Sequence, residues 1–265
     1  MNQKLIILDL DGTLLNNQNQ LSNKTINIIQ QIEKLNHICV IATGRPYRLA
    51  EPIYKKLNLH HEMINFNGSL CLIPNQKVEY KFTIPNDIIL DVLNNKNNLG
   101  IQYISAENEH CYFSTNQKHE NLFLPPIKNK NELLNSENIQ NKKLIFSSFY
   151  YDRNYKKQII NFFKNYTNRI SLNVWGGNCP IIEILHKNIN KTFGIQYLMK
   201  KYNIKQQDVI AFGDEFNDLP TLEFAGIGVA MKNAETQLKK VSSYITKNDN
   251  DHDGVANFLS HYFKL

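Results

Sequence analysis

The chain has 265 residues, of which 42% are hydrophobic and 20% are charged, a composition typical of a globular protein with room for two domains of moderate size. The formal net charge is +6, but the lysines are spread along the chain, so we expect a solvated basic surface and no nucleic-acid partner. No apolar run approaches the roughly 18 residues of a membrane-spanning helix, so we expect no membrane partner.

The first part of the chain alternates between strand and helix patterns. The predicted elements are a strand at 4–10, a helix at 21–36, a strand at 37–46, a helix from Pro46 to about Leu57, and a strand at 62–68. Residues 4–10 form an apolar run typical of a strand buried on both faces. Ser22 is a good N-cap for the first helix. This order predicts a parallel sheet with right-handed crossovers.

The middle of the chain has a different pattern. Short strands rich in aromatic residues surround two or three helices there, which is typical of a mixed or antiparallel sheet. The predicted elements are a helix near 87–95, strands at 101–106, 111–115 and 143–151, a helix at 153–166, and strands at 170–177 and 180–186. Residues 125–142 begin with two prolines and are predicted to be a loop-rich connection.

The strand and helix alternation returns after His186. The predicted elements are a helix at 190–203, a strand that runs into a turn at 208–218, a strand at 226–231 and a short strand at 242–246. We therefore predict an α/β fold with a Rossmann-like parallel-sheet core and an inserted α+β cap domain. The core would comprise residues 1–81 and 188–265, and the cap residues 82–187.

Polar side chains follow four of the predicted strands, at the sheet edge where open parallel sheets carry functional residues. In strand order they are Asp9 and Asp11, Thr43 and Gly44, Asn67 and Gly68, and Asp214 with Asn217 and Asp218. Asp9 and Asp11 would point the same way in an extended chain. Asp214, Asn217 and Asp218 would share one face of a helical turn. Because four carboxylates in one crevice repel one another, we predict a Mg²⁺ ion among them.

Two further residues are candidates for binding an anion near these acids. Lys191 opens the helix after the insertion, and its charge would hold an anionic substrate. Thr43, together with nearby backbone N–H groups, would hold phosphate oxygens. Either acidic pattern alone is also common as a turn or a helix cap. Both patterns in one chain, with Thr43 and Lys191 between them, favour a catalytic site.

Six segments of the core, in chain order, form a set of motifs. They are DLDGTLL (9–15), ATGRP (42–46), NGS (67–69), NKTFGIQYL (190–198), GDEFNDLPTL (213–222) and GVAMKNA (228–234). Together they resemble the haloacid dehalogenase superfamily, and most closely its Cof-type sugar-phosphatase branch, which has a class IIB cap. DGVANFL (253–259) is also similar to the C-terminal ending of that branch. The cap region carries no motif of the family.

The resemblance implies a role for each matching residue. Asp9 would be the nucleophile that forms an aspartyl-phosphate, and Asp11 would protonate the leaving alcohol and then activate water. The ligands of Mg²⁺ would be Asp9, Asp214 and, through its backbone carbonyl, Asp11. The groups that bind the phosphoryl group would be Leu10, Thr43, Gly44, Lys191 and Asn217. Supporting residues would be Asp218, Arg45, Asn67 and Gly68.

Some of these roles leave alternatives open. Asp218 would orient either the waters of the metal or Lys191. Arg45 would contact the cap or substrate, or simply pair with a surface acid. In the cap, the segment Trp175-Gly176-Gly177-Asn178 would reach over the active site or belong to a small core.

The resemblance and the large inserted domain together imply a Mg²⁺-dependent phosphatase that hydrolyses small phosphorylated metabolites under a mobile lid. Sugar phosphates are the first candidates for the substrate. The alternatives are a sugar phosphomutase of the same superfamily and a protein that binds a phosphorylated ligand without turnover. The partner would be the small substrate, and the protein a monomer or weak homo-oligomer. The residues before the first strand ends are too few for a signal peptide, so we expect a cytoplasmic protein. Reduced and mostly buried thiols are expected at Cys39, Cys71, Cys111 and Cys179.

Overall fold

The computed structural model describes residues 2–115, 125, 127–174 and 180–265. The chain divides into two compact units. The core unit consists of Met1–Tyr80 and Asn190–Leu265, and the inserted unit of Lys81–Ile189. The cap segment Trp175-Gly176-Gly177-Asn178 and the thiol of Cys179 lie outside the described residues. Within the described part, no helix has both the length and the apolar character needed to cross a membrane.

The N-terminal segment of the core unit supplies two neighbouring strands of a parallel sheet. Its elements are β1 (Leu5–Leu8), α1 (Asn23–Lys34), β2 (Ile38–Ile41), α2 (Tyr47–Leu57), β3 (Met63–Asn65), β4 (Leu70–Ile73) and β5 (Lys77–Lys81). Every residue of β1 and β2 is buried, as their continuous apolar sequences predict. Ser22 caps α1 as predicted, because its hydroxyl accepts a hydrogen bond from the backbone N–H of Thr25 at 3.0 Å.

The third strand departs from the predicted parallel sheet. β3 touches that sheet through a single parallel bridge between Ala42 and Ile64, and otherwise pairs antiparallel with β4 in a three-stranded sheet, β3–β4–β5. The chain leaves the strand direction at a short turn, Phe66–Gly68, so the strand predicted at 62–68 ends early. The β4–β5 hairpin was not predicted, because β5 is short, partly exposed and rich in lysine and glutamate, which are depleted in strands.

The inserted unit is an antiparallel sheet with helices packed on it, in agreement with the predicted α+β class. Its elements are α3 (Asn86–Asn95), β6 (Ile101–Glu107), β7 (Tyr112–Ser114), α4 (Ser136–Ile139), β8 (Phe146–Tyr151), α5 (Lys156–Phe163), β9 (Ile170–Val174) and β10 (Ile181–His186). The strand order is β7–β6–β8–β10–β9. The core of this unit includes Ile88 and Ile159 from the helices and Ile104 and Phe149 from the sheet.

The C-terminal segment completes the core unit. Its elements are α6 (Lys191–Tyr202), β11 (Val209–Gly213), α7 (Leu219–Phe224), β12 (Ile227–Ala230), α8 (Thr236–Val241), β13 (Tyr244–Ile245) and α9 (Gly254–Phe263). The parallel sheet has the order β13–β12–β11–β1–β2. Leu8 pairs with Phe212, so the residues that follow β1 lie beside those that follow β11. This register brings the two acidic motifs together at one edge of the sheet.

The cysteines described are free thiols. Cys39 and Cys71 are buried and Cys111 is half-buried, in agreement with the expectation of reduced and mostly buried thiols.

Candidate active site

A tight turn follows β1 and determines where the first two acids point. The turn spans Leu10–Leu14, and the backbone N–H of Leu15 donates to the carbonyl of Leu10 at 2.9 Å. Gly12 has a φ of +69°, and a Cβ atom at this position would lie only 2.1 Å from Oδ2 of Asp214. Glycine therefore provides both the left-handed backbone and the space for that carboxylate.

Because of this turn, Asp9 and Asp11 do not share a direction, and the prediction that they would is wrong. Asp9 is buried, and its Oδ1 accepts a hydrogen bond from Nζ of Lys191 at 2.5 Å. Asp11 is about half exposed, and its two oxygens accept hydrogen bonds from Nε and Nη2 of Arg45 at 2.8 and 2.5 Å. Arg45 is buried and also donates to Asn19 at 2.7 Å. Of the two roles left open for Arg45, the structure shows pairing with an acid, and that acid is Asp11.

Among the lysines that the structure describes, Lys191 is the one that bonds Asp9 and Asp218. It is the first residue of α6, whose N-cap is Asn190, and its side chain is 1% exposed. Its Nζ donates to Oδ1 of Asp9 at 2.5 Å and to Oδ1 of Asp218 at 2.7 Å. Burial alone would lower the pKa of Lys191, but the charges of Asp218 and Asp9 outweigh that effect and raise it. The ammonium is therefore a permanent positive charge at the site.

Three buried carboxylates lie close to one another here, and two of them bond this ammonium. Asp9, Asp214 and Asp218 each contribute an oxygen atom, and these atoms lie within 4.8 Å of one another. Asp11 is not in this group, so three carboxylates converge where the sequence predicted four. Burial raises the pKa of Asp9 well above its usual range, Lys191 opposes the rise, and Asp218 and Asp214 add to it. Burial likewise raises the pKa of Asp214 to about 7, although a hydrogen bond from Thr13 at 2.7 Å opposes the rise.

The three carboxylates, which we call the acidic cluster, fit a hard divalent cation. Only Asp9 and Asp218 bond the ammonium, and burial raises the pKa of Asp9 and of Asp214, so a further cation would stabilise the ionised carboxylates. Oδ1 of Asp9 is bonded to Lys191 and Oδ1 of Asp214 to Thr13. In the part of the chain that the structure describes, the second oxygen of each accepts no hydrogen bond. Carboxylate oxygens available in this way are the ligands that Mg²⁺ prefers.

The turn after β11 separates its three polar residues. A 3₁₀ turn spans Phe216–Asp218, and Asp214 precedes it, so the three side chains do not share a helical face as predicted. Oδ2 of Asp218 accepts the backbone N–H of Asp214 at 3.1 Å, which holds the two acids together. Asn217 is not in the acidic cluster, and its Nδ2 donates to Oδ1 of Asn67 at 3.0 Å.

The ends of β2 and β3 form the neighbouring part of the site. Thr43 is buried, and its hydroxyl accepts the backbone N–H of Arg45 at 3.1 Å. The backbone N–H of Asn67 donates to the carbonyl of Thr43 at 3.1 Å, and Gly44 lies against the carboxamide of Asn67. Gly68 packs against the backbone at the start of α6. The candidate phosphate-binding residues are thus linked to one another through Asn67 and its neighbours.

Sequence reasoning missed two polar residues of the site. Thr13 bonds the carboxylate of Asp214. Nδ2 of Asn233 donates to the carbonyl of Gly12 at 2.7 Å and so ties down the turn after β1. Thr13 lies inside the DLDGTLL motif and Asn233 inside GVAMKNA, so the available signal was a further polar residue within a recognised motif.

The comparisons with known proteins agree on one family. A family profile described as haloacid dehalogenase-like hydrolase matches residues 6–259. The chain is 31% identical over 274 residues to the 5-amino-6-(5-phospho-D-ribitylamino)uracil phosphatase YitU of Bacillus subtilis, covering 98% of each chain. A haloacid dehalogenase-like hydrolase from Bacteroides thetaiotaomicron has a TM-score of 0.86 at 23% identity, covering 99% of this chain and 100% of the other. The HAD subclass IIB sugar phosphatase BT4131 has a TM-score of 0.79 at 22% identity, with 99% and 100% covered. These two likenesses show a shared fold.

Proposed function

The chain belongs to the haloacid dehalogenase-like hydrolase family and is a phosphatase, and we propose that it hydrolyses small phosphorylated metabolites through an aspartyl-phosphate on Asp9. The observation that carries this proposal is the acidic cluster with Lys191 bonded to two of its members. A nucleophilic carboxylate, a cation site and a fixed positive charge are what phosphoryl transfer requires.

In the first step, Asp9 attacks phosphorus. One carboxylate oxygen of Asp9 forms the new P–O bond while the bond from phosphorus to the alcohol oxygen breaks. Asp11 gives a proton to the departing alcohol oxygen. In the second step, Asp11 takes a proton from water, the water oxygen bonds to phosphorus, and the bond to Asp9 breaks, so that inorganic phosphate is released.

Asp11 needs different hydrogen-bond partners in the two steps. Both of its oxygens accept hydrogen bonds from Arg45. To protonate a leaving alcohol it must itself carry a proton, so at least one of these two hydrogen bonds must open first. The partly exposed position of Asp11 leaves room for that exchange.

We assign the phosphoryl group to a ring of donors beside Asp9. Lys191 supplies a positive charge, Asn217 and Thr43 supply side-chain donors, and Leu10 and Gly44 supply backbone N–H groups. A Mg²⁺ ion bound to Asp9, to Asp214 and to the backbone carbonyl of Asp11 would supply further charge against the phosphoryl oxygens. Asp218 orients Lys191, to which it is bonded at 2.7 Å. We further propose that the inserted unit is the substrate lid.

The substrate class follows from what the relatives act on. YitU is named for a substrate with a phosphorylated ribityl chain, and the subclass IIB neighbour is a sugar phosphatase. Both descriptions share a phosphate ester on a polyhydroxylated carbon chain. We therefore propose phosphomonoesters of sugars and sugar alcohols as substrates.

The test is hydrolysis of p-nitrophenyl phosphate with Mg²⁺, followed by a panel of phosphorylated sugars and sugar alcohols. Asp9→Asn keeps the size of the side chain but removes the nucleophile, and we expect it to abolish phosphate release. The matched control is Asp87→Asn, at a surface ion pair of the inserted unit, which should leave the rate unchanged. Full activity in Asp9→Asn would overturn the mechanism. An isomerised sugar phosphate with no phosphate released would identify a mutase.

A further inference from the structure

The turn that follows β3 has an unusual backbone. Phe66, Asn67 and Gly68 all have positive φ values, of 49°, 50° and 102°. Only Gly68 adopts such a conformation without a steric penalty, and two side-chain-bearing residues in succession there are rare. Strained turns of this kind persist where the surroundings hold them in place, and they cluster at functional sites. The contacts of this turn, which we call the β3 turn, explain why the strain is kept.

The first contact of the β3 turn is with Asn217. Asn67 is 8% exposed, and its Oδ1 accepts one N–H of the Asn217 amide at 3.0 Å. A primary amide has two N–H groups, so this bond fixes the plane of the Asn217 amide and leaves its second N–H free for another acceptor. Without Asn67, the Asn217 side chain would have to be ordered by the substrate itself.

The second contact of the β3 turn is with the loop after β2. The backbone N–H of Asn67 donates to the carbonyl of Thr43 at 3.1 Å, and that of Phe66 donates to the carbonyl of Arg45 at 3.3 Å. The side chain of Asn65 also donates to the Arg45 carbonyl, at 3.2 Å. The turn therefore fixes the backbone on both sides of Gly44.

The third contact of the β3 turn is with the start of α6. A Cβ atom on Gly68 would lie 2.1 Å from the carbonyl oxygen of Asn190 and 3.1 Å from the backbone nitrogen of Lys191. Glycine at this position lets the turn pack directly against the residue that carries the buried ammonium. The β3 turn thus contacts the segments that carry three phosphate-binding candidates from separate parts of the chain: Thr43, Lys191 and Asn217.

We propose that the β3 turn is a positioning element for the phosphate-binding groups, with Asn67 as the positioning residue that orients the amide of Asn217. This inference rests on the proposed function, because the groups that are positioned are those assigned there to the phosphoryl group. Asn67 acts through Asn217 and is not a catalytic residue.

The test uses Asn67→Gly, which keeps the left-handed backbone and removes only the carboxamide. With p-nitrophenyl phosphate and Mg²⁺, we expect kcat/KM to fall about tenfold, as for loss of an ordering hydrogen bond beside a charged group. KM and the inhibition constant of inorganic phosphate should both rise. Neither quantity depends on how much of the enzyme is folded, so a purely structural defect would not move them. The matched control is Asn58→Gly, another left-handed Asn, exposed after α2, and it should behave like the wild type.

A double variant separates action through Asn217 from direct action. Once Asn217→Ala has removed the amide, adding Asn67→Gly should change kcat/KM by less than about twofold, because coupled residues are not additive. A further tenfold loss in that background, or unchanged KM and phosphate inhibition in Asn67→Gly, would overturn this inference while the wild type still hydrolyses the ester. A wild type that hydrolyses no phosphomonoester would overturn the proposed function and this inference together.

Discussion

The metal-free protein is expected to lose stability as the pH rises from 5 to 8, because Asp214 is buried. Its pKa is raised to about 7, from 3.8 for an ordinary aspartate. Between these values the folded protein holds a proton on Asp214 that the unfolded chain has released, so stability falls as the pH rises. A tenfold difference in proton affinity is worth about 1.4 kcal/mol, so Asp214 alone lowers the free energy of unfolding by about 3 kcal/mol between pH 5 and pH 8.

The assay is thermal unfolding in EDTA at several pH values, with Asp214→Asn as the reference. Asparagine has the same shape and does not titrate, so the difference between the two proteins reports Asp214 together with its coupling to Asp9 and Asp218, and cancels the distant acids. The wild type should lose roughly 6–12 °C more than the variant between pH 5 and pH 8. Mg²⁺ should stabilise the wild type more at pH 8 than at pH 5, because protons compete with the cation for the cluster. Equal pH dependence in the two proteins would show that the Asp214 carboxyl ionises as it does in water.

Three substitutions probe the other contacts of the site. Lys191→Met should abolish phosphatase activity. It should also lower the free energy of unfolding in urea by about 3–5 kcal/mol, because Asp9 and Asp218 lose their buried counter-charge. Stability equal to the wild type would show that Lys191 does not form these two ion pairs. Arg45→Lys should lower kcat about tenfold or more with little change in melting temperature, because lysine lacks the planar fork that donates to both oxygens of Asp11. An unchanged kcat would show that the bidentate Arg45–Asp11 pair does not contribute to turnover. Thr13→Val should weaken Mg²⁺ binding, measured by calorimetry, roughly tenfold, because Asp214 loses an orienting hydrogen bond. Unchanged affinity would show that this hydrogen bond does not orient a metal ligand.

The central strands of the core and the acids at their ends could be predicted from the sequence alone. β1, β2 and β11 are short apolar runs buried at every residue, and a buried parallel sheet leaves that pattern in the sequence. Asp9 and Asp214 come directly after two of these strands, so their meeting at one sheet edge followed from the topology. β5 leaves no such pattern, because it is amphipathic and partly exposed.

The directions of the side chains could not be predicted in the same way. Asp9 and Asp11 were expected to point together, but the chain enters a tight turn directly after Asp9, and Arg45 bonds Asp11. The bond between Asn67 and Asn217 joins residues 150 positions apart, and it depends on a backbone conformation that local propensity disfavours. Contacts of this kind are set by tertiary packing.

The covalent step at Asp9 is tested most directly by trapping it in Asp11→Asn. Nitrophenolate leaves without needing a proton, so the first step should continue in this variant, while the activation of water is lost. We expect a burst of one nitrophenolate per enzyme followed by slow turnover, and after acid quenching a phosphoryl group on the peptide that contains Asp9. Turnover without a burst, in an enzyme that carries no phosphate on Asp9 at any time, would mean that water attacks the substrate directly.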